Sequence, residues 1–164
     1  MVLAATAGDK AIVIWRAALS ALCAGLIGIG FARFAYSPLI PALVAERWFS
    51  PAEATYLGAA NLGGYLVGAL IAGRLSRAAA AAAVLRAMML LATASFFACA
   101  FPLPFAWFFT WRFAAGIAGG TMMVLAALAV LPHVPAGQQG LVGGAIFTGV
   151  GLGVAASGTL VPLL

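Results

Sequence analysis

The chain has 164 residues, of which 66% are hydrophobic and 7% charged, with a mean hydropathy of +1.18. That much apolar surface cannot be hidden inside one globule of this length, which excludes a water-soluble domain and makes lipid the solvent. The net charge of +5 could suggest nucleic acid. However, Arg16, Arg33, Arg47, Arg74, Arg77, Arg86 and Arg112 are scattered between apolar runs, not gathered into a phosphate-tracking face, so nucleic acid is excluded as a partner.

A hydrocarbon core about 30 Å thick needs about 20 apolar residues in a helix rising about 1.5 Å per residue. Windows of that kind predict an all-α integral membrane protein of about five transmembrane helices. The first runs from about Ile12 to Val44, too long for one straight crossing. Pro38 and Pro41 remove backbone donors there, so a bent or tilted helix is expected. Lys10 and Arg16 precede the apolar stretch from Ala17 to Phe31 as they would in a signal peptide, but further apolar segments follow, and the stretch reads as the first membrane helix. Cys23 and Cys99 lie in apolar segments without metal or redox spacing and read as small buried packing residues.

Glu46 to Glu53 is the next polar stretch. Ser50 can cap a helix, Pro51 suits its first position, and Glu53 can reach back to the cap amide. The second helix is predicted over about 54–73, ended by Arg74 and Arg77. The alanine run from Ala78 to Ala83 reads as helix leading into a third span, about 79–101, since alanine is the strongest helix former. Pro102 to Pro104 leaves room only for a turn before a fourth helix, about 105–131. A loop carrying His133 then precedes a fifth, about 140–164.

A cytoplasmic N-terminus places Lys10, Arg16, Arg74, Arg77 and Arg86 on or near the inside and leaves only Arg47 in an outside loop. This is the arrangement favoured by the positive-inside rule. Trp15, Trp48, Trp107 and Trp111 lie near predicted helix ends, where indoles bridge lipid and headgroups. Small residues recur every four positions: Ala60, Gly64, Gly68 and Ala72 on the second helix, Gly116 and Gly120 on the fourth, Gly149, Gly153 and Ser157 on the fifth. Such stripes let backbones approach closely, which is how helices associate in lipid. Surfaces that slide during a transport cycle are the sharper reading of the same pattern.

Arg33 and Arg112 are the charges hardest to place at an interface. Arg33 reaches the outer boundary only if Arg16 sits at the inner one, and Arg112 lies about one-third of the way into the fourth helix. A charge there costs about 2.5–3.5 kcal/mol on insertion scales, so it snorkels or faces a cavity or partner. In a cavity, either arginine attracts an anionic group or biases a nearby carboxylate. The acids, Asp9, Glu46 and Glu53, all fall outside the apolar runs. Tyr36 and Asn61 are the polar side chains expected to line a path with the arginines, or else to bridge helices. The inventory supplies no catalytic residue set, no clustered acids for a metal and no cofactor motif, so an enzyme is not expected.

Gly28-Ile29-Gly30-Phe31-Ala32-Arg33-Phe34-Ala35-Tyr36-Ser37-Pro38-Leu39-Ile40-Pro41 is similar to the opening signature of the YbfB/YjiJ-type branch of the major facilitator superfamily. Tyr56 through Gly68 looks like that branch's second helix. Gly68 to Arg77 resembles the superfamily's gating loop motif, with Gly73 where aspartate is usual and Ser76 where glycine is usual. The resemblance makes Gly68, Gly73, Arg74 and Arg77 the gating residues. Arg112-Phe113-Ala114-Ala115-Gly116 resembles the fourth-helix motif whose arginine the family associates with proton coupling. The fifth-helix glycines are similar only in kind to an antiporter motif.

The resemblance implies twelve helices in two bundles with a substrate site between them. This chain then supplies most of one six-helix bundle and is expected to be an incomplete N-terminal fragment whose C-terminal half is missing. The implied parent is an inner-membrane secondary transporter of a small organic solute, with proton-coupled export as one possible mode. Its path would include Arg33, Tyr36, Asn61 and Arg112. The alternative is a small multi-spanning protein with an assembly or interaction role and no transport of its own.

Overall fold

A computed structural model describes residues 15–16, 18–20, 22–23, 25–31, 34–130 and 134–160. Among these the regular elements are helical and no strand occurs: a π-helical turn Leu26–Phe31, α1 Tyr36–Ala45, α2 Pro51–Ala78, α3 Ala81–Ala98, α4 Phe105–Val130, a 3₁₀ turn Ala136–Gln138 and α5 Gln139–Leu160. Helices α2 to α5 are each long and apolar enough to cross a membrane, and α1 is a shorter apolar helix. The protein is thus an all-α membrane protein.

In the described part of the first predicted crossing, regular α-helix gives way to the π-helical turn, beyond which α1 begins as a separate element. Pro41 lies inside α1. The π-helical turn lies against α5, where the backbone of Gly30 meets that of Gly153.

At the α1–α2 connection, Arg47 N–H donates to the Val44 carbonyl (3.1 Å) and Trp48 N–H to the Leu43 carbonyl (2.9 Å). This is the Schellman pattern, which places a left-handed residue after the C-cap. Arg47 takes that conformation at φ 59°. The turn folds Phe49 into a cluster with Tyr36, Leu57 and Phe108, against which Leu43 and Trp48 pack. The rings of Phe49 and Phe108 meet edge to face at 4.8 Å.

Helix α2 starts on the expected capping box. The Ser50 hydroxyl accepts from Glu53 N–H (3.2 Å), and the Glu53 carboxylate accepts from Ser50 N–H (2.8 Å). The helix continues past Gly73 to Ala78, so Arg74 and Arg77 lie on it and not beyond it. A single glycine costs an α-helix only about 1 kcal/mol and does not stop it.

The alanine run departs from expectation. Ala79 and Ala80 leave the helix, Ala79 at φ −147° and ψ 161°, and reverse the chain between α2 and α3. Intrinsic preference gave way to the geometry of a tight connection. The cysteines also differ from expectation, since Cys23 is exposed and Cys99 half-buried. An apolar environment in lipid does not require burial inside the protein.

The most extensive packing joins α2 to α4, followed by α3 with α4 and α5 with the π-helical turn. Gly64 and Gly68 meet the backbone of Phe113 and Ile117, while Gly116 and Gly120 meet that of Asn61 and Tyr65. The contacts advance in the same sense along both helices, so α2 and α4 run parallel. Gly149 and Gly153 of α5 lie against Leu22, Leu26 and Gly30 in the same way. Leu62, Leu66 and Leu70 point outward from α2, a stripe at four-residue spacing suited to lipid.

Candidate functional site

The α2–α4 seam positions the most buried cation among the described residues. Without side chains between them, the two backbones come close enough for Asn61 Nδ2 to donate to the Arg112 carbonyl at 3.0 Å. One turn of α4 is thereby held against one turn of α2. On the same face, Thr121 Oγ1 donates to the Gly68 carbonyl at 3.1 Å. A buried hydrogen bond between membrane helices contributes about 0.6 kcal/mol on average and up to about 1.7.

From that fixed turn the Arg112 side chain reaches toward α1. Its guanidinium carbon stands 4.2 Å from the centre of the Tyr36 ring, and the two residues are only 5% and 6% exposed. A cation over an aromatic face gains about 2 kcal/mol when desolvated, well short of the cost of burying an isolated charge. Among the described residues, neither Arg112 Nε nor the Tyr36 hydroxyl has a hydrogen-bond partner.

The stacked pair borders two cavities. One, of about 220 Å³, is lined by Tyr36, Ser37, Ile40, Gly58, Asn61 and Arg112 among others. The other, of about 250 Å³, is lined on its far walls by Leu39, Phe96, Cys99 and Phe108, with Tyr36 and Arg112 again on its boundary. The arrangement sets a fixed positive charge at the edge of a mostly apolar space. Counting from Phe105, Arg112 stands about 10 Å along α4. A third cavity, between Trp15, Leu19, Leu141 and Thr148, has no ionisable side chain among the described residues that line it.

The structure thus brings together Arg112, Tyr36 and Asn61. Arg33 and His133 lie outside the described residues. Gly68 belongs to the seam. Gly73 faces open space, and its carbonyl accepts from Ser76 Oγ and Arg77 Nε, both at 3.1 Å. Arg74 and Arg77 are exposed on the last turns of α2. Among the described residues no group of three histidine, cysteine or acidic side chains could hold a metal.

Sequence reasoning did not single out Ser37, Gly58 or Cys99 as cavity-lining residues, nor the stacking of Arg112 on Tyr36. Ser37 adjoins Tyr36 and could have been found from that neighbourhood. The other contacts arise between helices distant in the chain.

A bundle of apolar helices around a buried, cavity-lining cation defines a polytopic membrane protein. Residues 25–164 match the family model described as "Uncharacterised MFS-type transporter YbfB", and the chain belongs to this family of the major facilitator superfamily. Comparison with curated proteins and with solved structures finds no match.

Proposed function

We propose that the chain serves secondary transport of a small organic solute across the inner membrane, with its N-terminus in the cytoplasm and with Arg33, Tyr36, Asn61 and Arg112 on the solute or proton path. The observation that carries the reading is the buried Arg112 guanidinium, stacked on Tyr36 and shared by two cavities. A charge at membrane depth is retained where it serves a substrate or ion pathway. Membership of the transporter family supports the same reading. The distribution of basic residues supports the orientation.

In this scheme the close α2–α4 and α5 contacts keep the bundle rigid while it rocks, and the end of α2 carrying Gly73, Arg74 and Arg77 acts at the cytoplasmic gate. Proton-coupled export is the mode to test first. In inverted membrane vesicles carrying the transporter, a panel of small organic solutes is screened for solute-driven proton flux. Arg112→Ala should abolish that flux while leaving membrane insertion intact. Undiminished flux in the variant rejects the role of Arg112.

A further inference from the structure

We propose that Arg112 and Tyr36 form a carboxylate site, and that the solute is a small organic monoanion with a compact apolar body. The proposal rests on the transport reading of the same cavity and adds to it the chemical class of the solute.

A guanidinium stays protonated at any physiological pH, so the buried side chain is a permanent cation. A buried cation requires a compensating negative group or a full set of acceptors. The Tyr36 ring supplies neither, because its face offers only a quadrupole. Among the described residues neither cavity is lined by an acidic side chain. Of the chain's three acids, Glu53 is engaged with Ser50 and Glu46 is exposed on the α1–α2 connection, while Asp9 lies outside the described residues.

Tyr36 and Arg112 both line this cavity, and the Arg112 Nε–H and Tyr36 hydroxyl are buried without hydrogen-bond partners among the described residues. A carboxylate matches both needs, since it carries one negative charge and two acceptor oxygens, and planar pairing with guanidinium is its favoured geometry. Among the described residues a single guanidinium lines this cavity, and it offsets one charge, which selects a monoanion over a doubly charged phosphate. Ser37 and Asn61 add polar edges to the cavity, and Ile40 and Leu62 give it apolar walls. At about 220 Å³ it is smaller than the roughly 300–1,000 Å³ of pockets for drug-sized ligands, so the apolar body is a few carbons long. A cationic amine of the same size meets the guanidinium's repulsion.

The test is a binding titration of the full chain in lipid nanodiscs with sodium butyrate, and separately with butylammonium chloride at equal ionic strength, read as the shift in melting temperature with ligand concentration. Butyrate should raise the melting temperature saturably and butylammonium should not. Arg112→Gln should lose the butyrate response. Tyr36→Phe keeps the ring over the guanidinium and should melt like wild type without ligand, but bind butyrate about tenfold more weakly, as expected for one lost hydrogen bond to a charged group. No saturable butyrate response in wild type, an equal response to butylammonium, or undiminished butyrate binding in Tyr36→Phe would each overturn the proposal. Loss of solute flux in Arg112→Ala without butyrate binding in wild type rejects the carboxylate class and retains the transport reading. Butyrate binding with undiminished flux in Arg112→Ala does the reverse.

Discussion

The backbone carbonyl of Asn61 occupies the space that a Cβ on Gly116 would need, and the Asn61 side chain donates to the carbonyl of Arg112, one turn earlier on α4. Close approach and polar contact thus come from a single residue, so the position of the buried arginine depends on the glycine one turn along its own helix.

Glycines that meet a facing backbone and glycines that do not should therefore respond in opposite ways. Gly116→Ala and Gly64→Ala push a methyl group into the backbone of the facing helix and should destabilise the protein by about 1–3 kcal/mol, the range for overpacking. Gly73→Ala meets open space and should be neutral or stabilising by about 0.5–1 kcal/mol through helix propensity. Unfolding in mixed micelles, followed by circular dichroism, measures all three.

The polar contacts of the seam should be individually modest. Thr121→Val removes the hydrogen bond to the Gly68 carbonyl and should cost about 0.6 kcal/mol and no more than about 1.7. Asn61→Leu should cost a similar amount and also loosen the turn carrying Arg112. A double-mutant cycle between Asn61→Leu and Gly116→Ala should show coupling, since both changes act on one contact.

Arg47 holds the left-handed position of a Schellman turn, a conformation that costs a non-glycine residue about 1–2 kcal/mol. Arg47→Gly should raise stability by about 1 kcal/mol, measured by the same unfolding assay, and leave the packing of Phe49 on Phe108 unchanged. Arg47→Val should lower it, because β-branching makes that backbone conformation still less accessible.

What was legible in the sequence follows from the range of each interaction. Ser50 and Glu53 interact across three positions, so their cap could be read locally. The four-residue glycine spacing was equally visible, but which helix each stripe meets depends on contacts between distant segments, such as Gly64 with Phe113. Gly64 belongs to the four-residue stripe and faces α4, while Gly73 lies off the stripe and faces open space. The break at Ala79–Ala80 has no signature in the sequence, because alanine carries no turn signal. The depth of Arg112 could be counted from Pro104. Its stacking on Tyr36 could not, since that contact joins α4 to α1, far apart in the chain.

The central claim is that the cavity beside Arg112 gives aqueous solutes access to membrane depth. It is tested most directly by thiol accessibility in a chain carrying Cys23→Ala and Cys99→Ala. Ser37→Cys, on the cavity wall, and Leu66→Cys, on the outward face of α2, are each treated in sealed vesicles with a membrane-impermeant, negatively charged thiosulfonate. The account predicts rapid labelling at position 37, faster than with a positively charged reagent of the same size, and negligible labelling at position 66. Labelling of both positions at equal rates, or of neither, would contradict it.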